Sequence, residues 1–299
     1  GHAPHPDVTS DGQGVDVGGM IWYTELDQIS VKIPRLHFSK KVRGRISVGA
    51  DIFEGSFSDL NNFVPKKLTR RQVVSKFSSV YDPFGKFLPI TSRMKVHMRR
   101  AVAETEIWDG ILTAETRSIW VKNFWMLEKL RGMKFSRARV PVDALNHDLQ
   151  LIAAVDASSE LKIAGVWARF MRINGEYSSQ LVIGRSLLSR EDSSIPKEEL
   201  EAASIGSNLL RVVRKALHDW LDEFFLISDS TIALCWISAI NKRLGLFQRN
   251  RVNQVKMNMP IDRLLWVETT SNPADTGSRS EKTQMEDVGP GSVWEVGMP

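Results

Sequence analysis

The sequence predicts an α/β fold: a five-stranded mixed sheet, three strands antiparallel and two parallel, flanked by helices and preceded by a mostly helical region. Three observations predict it. The apolar runs LQLIAAVDA, LKIAGVWARFMRI and SSQLVIGRSLL follow one another through short links, as an antiparallel meander does. Two further runs, FFLISD and DRLLWVE, are each reached through helix-length connections, which lets them lie parallel to the first strand. Hydrophobic residues make up 42% and charged residues 25% of the 299, the balance of a chain that packs a core, and the length suits two domains.

Taken in order, residues 1–19 read as a flexible tail, because GHAPHPDVTSDGQG has almost no bulky apolar side chain. Residues 20–140 form the connecting region. MIWYTELDQISVKI alternates as a strand pair, and LTRRQVVSKFSSVYD has helical spacing that stops before Pro83. SVYDPFGKFLPI is a joint punctuated by Pro and Gly. Two longer helices follow, Pro89 to Glu106 and Thr113 to Leu130, the second with a core-facing stripe of Trp120, Phe124 and Leu127.

A new rhythm begins after Pro141, and residues 141–299 form the second domain. Asn174-Gly175 marks a hairpin between the second and third strands, both residues tolerating the positive φ of a type I′ turn. Ser194-Ile195-Pro196 opens a long helix, with Pro near its first turn and an apolar stripe running to Trp220. STIALCWISAI and GLFQRNRVNQVKMN are shorter helices, and Asn272-Pro273 starts a last helical turn.

Chemistry enters at the strand ends. Asp156 ends the first strand and Asp229 the fourth; if these strands are parallel neighbours, both carboxylates emerge at one edge. Glu199, early in the long helix, and Asp275, opening the last one, can reach the same place. Each acid alone has an ordinary explanation as a turn residue, cap or first-turn helix acid. Together they would repel unless cations neutralise them. An all-oxygen set suits Mg²⁺ or Mn²⁺ rather than zinc, and two such ions serve phosphodiester hydrolysis.

The segments VDASSELKIAGVWARF, SSIPKEELEAASI, LISDSTIALCWI and WVETTSNPADTGSR resemble, in order and spacing, the ribonuclease H domain of BEL/Pao-type retrotransposons. SVYDPFGKFLPIT resembles the segment that family carries between its reverse transcriptase and that nuclease. The resemblance implies a ribonuclease H-like fold for 141–299, with 20–140 as the end of the reverse transcriptase and its connection. It implies hydrolysis of the RNA strand of RNA·DNA hybrids with two Mg²⁺ ions, Mn²⁺ substituting. The implied metal ligands and catalytic residues are Asp156, Glu199, Asp229 and Asp275. Glu199 follows from the Ile-Pro then Glu-Leu pattern; Glu198 and Glu201 lie about 100° and 200° around the helix and face elsewhere. Implied partners are the hybrid and the rest of a pol polyprotein, reverse transcriptase upstream and integrase downstream. Two departures stand out. The loop VETTSN lacks the His that related nucleases often carry before the last Asp, so slower turnover or an altered pH profile is expected; His218 reads as structural. The paired aspartates of a polymerase are absent, so this chain alone is not expected to polymerise DNA.

A hybrid is held by its backbone more than by its base edges. Candidate contacts are Lys242, Arg243, Arg249 and Arg251, with Ser158, Ser186 and Ser230 beside the acids. The net charge is +5, and ten Lys or Arg between Lys66 and Arg100 face one acid, Asp82, as a phosphate-binding surface or a solvated helix face would. One cysteine, Cys235, excludes an internal disulfide, and no apolar run approaches the roughly 18 residues of a membrane span. An intracellular, cytoplasmic protein is expected, in a virus-like particle if the element makes one, and the opening Gly1 suggests a fragment or processed product. The rival expectations are a noncatalytic or domesticated binding or scaffold module of the same fold, and a DNA-cutting nuclease or transposase built on it.

Overall fold

Strand β7 (Ala144–Ala157) is the axis of the chain's larger sheet, and its apolar run explains why: neighbours pair on both of its edges and side chains cover both of its faces. In the computed structural model, residues 14–38, 41–42, 45–46, 53–138, 143–218, 221–239, 243–278, 286 and 288–297 are described. Two compact units divide the chain, one of residues 1–82 and 94–134, the other of 83–93 and 135–299.

In the first unit, β1 (Val15–Val17), β2 (Met20–Tyr23) and β3 (Gln28–Val31) pair antiparallel, and β4 (Lys41–Val42) pairs with β5 (Arg45–Ile46). Val15–Val17 thus belongs to a sheet, although it lies within the stretch 1–19 expected to be tail. Its partner in the pairing is MIWY, whose Met20 and Tyr23 are buried. Helices α1 (Phe57–Phe63) and α2 (Arg70–Ser78) each start with a capping box, Ser56 with Asp59 and Thr69 with Gln72. Helix α3 (Leu88–Glu104) spans the boundary between the units, and α4 (Ala114–Leu130), capped by Thr113, buries Trp120, Phe124 and Leu127 as their spacing predicts.

The second unit opens with the joint, 83–93, and the short strand β6 (Phe135–Ser136). Its sheet is the mixed five-stranded one: β11-β10-β7-β8-β9, where β8 is Leu161–Arg172, β9 Tyr177–Leu188, β10 Glu223–Ser228 and β11 Leu264–Trp266. β7, β8 and β9 are antiparallel; β10 lies parallel to β7, with Ile227 opposite Ala154, and β11 parallel to β10. The β8–β9 turn differs in type from the expected one. Only Gly175 takes a positive φ, +83°, while Asn174 keeps a negative one. The Asn174 side chain accepts the Glu176 N–H at 3.0 Å, and Gly175 N–H reaches the Arg172 carbonyl at 2.9 Å. That is a type I-like turn closed by a left-handed Gly rather than a type I′ turn.

Helices α5 (Ile195–Ala216), α6 (Thr231–Ser238) and α7 (Leu246–Asn258) cover one face of the sheet. Leu151, Ala153 and Val155 of β7 meet Leu200, Ala203 and Leu210 of α5 there. The helix comes close because residue 206 is Gly: a Cβ there would sit 2.4 Å from Val155 Cγ1. It stops at Ala216, short of the expected Trp220, which lies outside the described residues; His218 is exposed just past its end. The opposite face packs Ala154, Ile163, Trp167, Leu181 and Ile227 against Leu88 of the joint, Ala274, and Trp294 of the terminal helix α9 (Val293–Val296). Helix α8 (Asp275–Ser278) closes this side. Among the described residues no helix is long and apolar enough to cross a membrane.

Candidate metal centre

Parallel pairing of β7 and β10 brings two acids to one edge of the sheet. Asp156 is the penultimate residue of β7, and Asp229 follows the last residue of β10. Glu199 arrives from the second turn of α5, packed against β7. Asp156, Glu199 and Asp229 each offer a carboxylate oxygen, and these atoms lie within 4.8 Å of one another. Asp156 and Glu199 are each only 6% exposed.

Such packing of acids is electrostatically costly. Burial pushes Asp156 up to about 6, with the charges of Asp229 and Asp275 adding, against hydrogen bonds from Ser278 and the Ala157 backbone. Burial also pushes Glu199 up to about 9, and the charges of Asp156 and Asp229 push the same way. One oxygen, Glu199 Oε2, is buried without any hydrogen-bond partner. Buried polar atoms are nearly always satisfied, so an unpartnered oxygen on one acid of this cluster is compatible with a cation bound there. The donor set is oxygen only, which fits Mg²⁺ or Mn²⁺.

Glu199 is separated from its helical neighbours by Lys162. Lys162 is buried on β8 and its Nζ bonds Glu198, and Glu201 at 3.0 Å. Arg190 reaches Glu198 at 3.2 Å, and Arg251 reaches Glu201 at 3.0 Å. Burial opposes ionisation of Glu198 and Glu201, but these cations outweigh it and hold both below the usual carboxylate range. Of the three acids in KEELE, only Glu199 is left facing Asp156 and Asp229, the orientation expected from helix geometry.

A loop after β11 fastens Asp229. Thr269 Oγ1 donates to its Oδ2 at 2.7 Å, and the Trp266 indole donates to its carbonyl at 3.1 Å. Asn272 is buried and donates to the Val155 carbonyl at 2.9 Å, tying this loop to β7. Thr269 thus lies in the loop VETTSN, which carries no His, with its hydroxyl on Asp229. Asp275 is half-buried at the start of α8 and within electrostatic reach of Asp156, but outside the converging trio. Ser278, three residues on, donates to Asp156. Neither Ser278 nor Asn272 carries a sequence signal of its own. TSNPADTGSR offers several polar residues, and only the fold shows which of them meet β7.

The remaining predicted residues are dispersed. The Ser158 hydroxyl accepts the Glu160 and Leu161 N–H groups in the β7–β8 turn and lies 3.2 Å from the Ser278 carbonyl. Ser230 caps α6 by accepting the Ala233 N–H. Ser186 is buried on β9, opposite Ile163 and so two strands from Asp156. Arg251 is occupied by Glu201 and stacks over Phe247. Arg243 and Arg249 are exposed, and Lys242 lies outside the described residues. In the basic stretch, Arg71 pairs with Asp109, Arg70 and Arg71 flank the Trp108 ring, and Lys86 is fully buried.

A family model described as the Pao retrotransposon-like RNaseH-like domain matches residues 69–230, more than half of the chain. The chain belongs to this family. The match takes in the joint, Asp156, Glu199 and Asp229, and ends before Asp275. No curated protein sequence matches. Among solved structures, this Pao-type chain is similar to the N-terminal RNase H domain of Rv2228c from Mycobacterium tuberculosis, with 14% identity over 44% of this chain and 91% of that one, TM-score 0.30. It is similar also to RNase H1 from Halobacterium salinarum NRC-1, with 10% identity, 42% and 89% coverage and TM-score 0.25. Against the prototype foamy virus protease-reverse transcriptase it shows 11% identity over 63% of this chain and 25% of that one, TM-score 0.28.

Proposed function

We propose that this Pao-type protein is a divalent-metal-dependent endonuclease that hydrolyses the RNA strand of RNA·DNA hybrids. It would work as the nuclease portion of a pol polyprotein, with reverse transcriptase upstream and integrase downstream. The convergence of Asp156, Glu199 and Asp229 within 4.8 Å, two of them buried, carries the reading. Asp156 and Asp229 stand at the ends of paired strands, so their separation is set by backbone hydrogen bonds rather than by flexible loops. Glu199 joins from α5, and Asp275 completes the proposed catalytic and metal-binding set from α8. Two Mg²⁺ ions held there, or Mn²⁺ in their place, would supply charge neutralisation at the scissile phosphate and activation of the attacking water.

Arg243 and Arg249, exposed around the start of α7, are the proposed phosphate contacts, together with Lys242, which precedes Arg243 in the sequence and lies outside the described residues. RNA would be told from DNA by the shape of the hybrid and its 2′-hydroxyls, not by base sequence. The test is cleavage of an end-labelled RNA strand annealed to DNA, in Mg²⁺. Shortened RNA from the wild-type chain, and none from Asp156→Asn or Asp229→Asn, is the expected result. A folded chain that binds the hybrid yet leaves the RNA whole in both Mg²⁺ and Mn²⁺ would refute the proposal, and cutting of duplex DNA instead would reassign the substrate.

A further inference from the structure

Asp275 sits on a helix of a single turn, and one turn has little stability of its own. Its place must be fixed by what surrounds it. Toward the sheet, Ala274 is buried with Ile163 and Ile227. Toward the acids, Ser278 bonds Asp156, and the Ser158 hydroxyl lies 3.2 Å from the Ser278 carbonyl. The third side is covered by the joint, far away in sequence. Ser92 is fully buried in α3, and its hydroxyl lies 3.1 Å from the Gly277 carbonyl and 3.1 Å from the Pro89 carbonyl, so one proton is shared between α3 and α8. One turn earlier, Leu88 lies against Gly277: a Cβ there would stand 3.3 Å from Leu88 Cδ2 and 3.3 Å from Ile163 Cγ2.

We infer that Ser92 and Leu88 are positioning residues for α8, setting how far Asp275 and Ser278 stand from the trio of acids. This rests on the proposed reading of those acids as metal ligands. The joint reaches α8 at Gly277. A segment read as a connection between two domains is then part of the nuclease's own site.

Two variants of the full chain separate position from looseness. Ser92→Ala removes the hydroxyl while adding almost no cavity. Gly277→Ala removes no side-chain hydrogen-bonding group but sets a Cβ 3.3 Å from Leu88 Cδ2 and Ile163 Cγ2, so that α8 or these side chains must give by a few tenths of an ångström. Hydrogen exchange is followed at residues 274–278, and Mn²⁺ binding by calorimetry. Ser92→Ala should speed exchange in α8 without speeding it in β7, and both variants should weaken Mn²⁺ binding about tenfold, the lower end of what supporting residues cost a metal site. The thermal midpoint should stay near wild type. Unchanged exchange in α8, exchange raised evenly across the unit, or wild-type Mn²⁺ affinity in both variants would overturn the inference. If the wild-type chain itself binds no Mn²⁺, the ligand reading falls, and the exchange of α8 still decides whether Ser92 positions it.

Discussion

At the scale of single residues, the site is defined by protons as much as by geometry. Asp156, raised from 3.8 to about 6, and Glu199, raised from 4.5 to about 9, hold protons more tightly folded than unfolded. The sign follows: this contribution to stability is complete below the unfolded values and is lost as pH rises through the folded ones. In metal-free buffer the melting temperature of Glu199→Gln should therefore exceed that of wild type by a margin that widens from about pH 5 to about pH 9. If the acids hold a cation as proposed, saturating Mg²⁺ should narrow the margin at the alkaline end by stabilising wild type more than the variant. A constant margin across this range, measured by differential scanning calorimetry, would show that Glu199 is not protonated in the metal-free fold. Asp156 and Asp229 were legible in the sequence because each follows an apolar run, whereas Glu199 is singled out from Glu198 and Glu201 by resemblance to a family pattern; Asp275, which opens a helix, stands outside the converging trio. Thr269, Asn272 and Ser278 were not legible. A hydroxyl or amide on a loop reveals its partner only once the loop's path over the sheet is known.

At the scale of elements, the start of α5 depends on one buried amine. Lys162 lies on β8 across from Ala157, and it neutralises Glu198 and Glu201 while Glu199 faces the other way. Lys162→Met leaves Glu198 buried with Arg190 as its remaining cation, and removing one partner of a buried pair costs about 3–5 kcal/mol. Lys162→Met should lose about that much in urea unfolding, and pairing it with Glu198→Leu should recover most of it. Glu201→Gln, at a position less buried than Glu198, leaves Lys162 still paired with Glu198 and should cost less than Lys162→Met. Equal losses in Lys162→Met and the double variant would sink this account. Helix and strand positions were readable here because two periodicities alternate cleanly from β7 to α8. The ion-pair network was not, since Lys162 stands among the apolar residues that begin β8 and its two partners lie 36 and 39 residues away. The turn type at Asn174 was misread for a related reason: two residues that both tolerate positive φ do not say whether one or both adopt it.

At the scale of the whole molecule, the sheet order was deducible from connection lengths, whereas the segments that cover its second face were not. Residues 83–93 and 288–297 lie at opposite ends of the second unit's sequence and meet on that face. Lys86 is fully buried and bonds both carboxylate oxygens of Glu295, at 2.7 and 2.8 Å, and the Leu181 carbonyl at 3.1 Å. The Trp294 indole donates to the Gly85 carbonyl at 2.7 Å, and its ring meets that of Trp167 edge to face with centroids 5.2 Å apart. In the sequence Lys86 looks like one more member of a basic stretch; its role depends on an acid 209 residues later. Burying an ion pair contributes little net stability, but breaking one strands a charge away from water. Lys86→Met should therefore destabilise the chain by about 3–5 kcal/mol, and Glu295→Leu added to it should return stability to near wild type. The double variant should also retain whatever hybrid cleavage the wild-type chain shows under the proposed function, since Lys86 and Glu295 bond each other and the Leu181 carbonyl, not the acids. If the double variant unfolds as readily as Lys86→Met, the pair is more than a mutual neutralisation, and the joint's hold on the sheet depends on the charge itself.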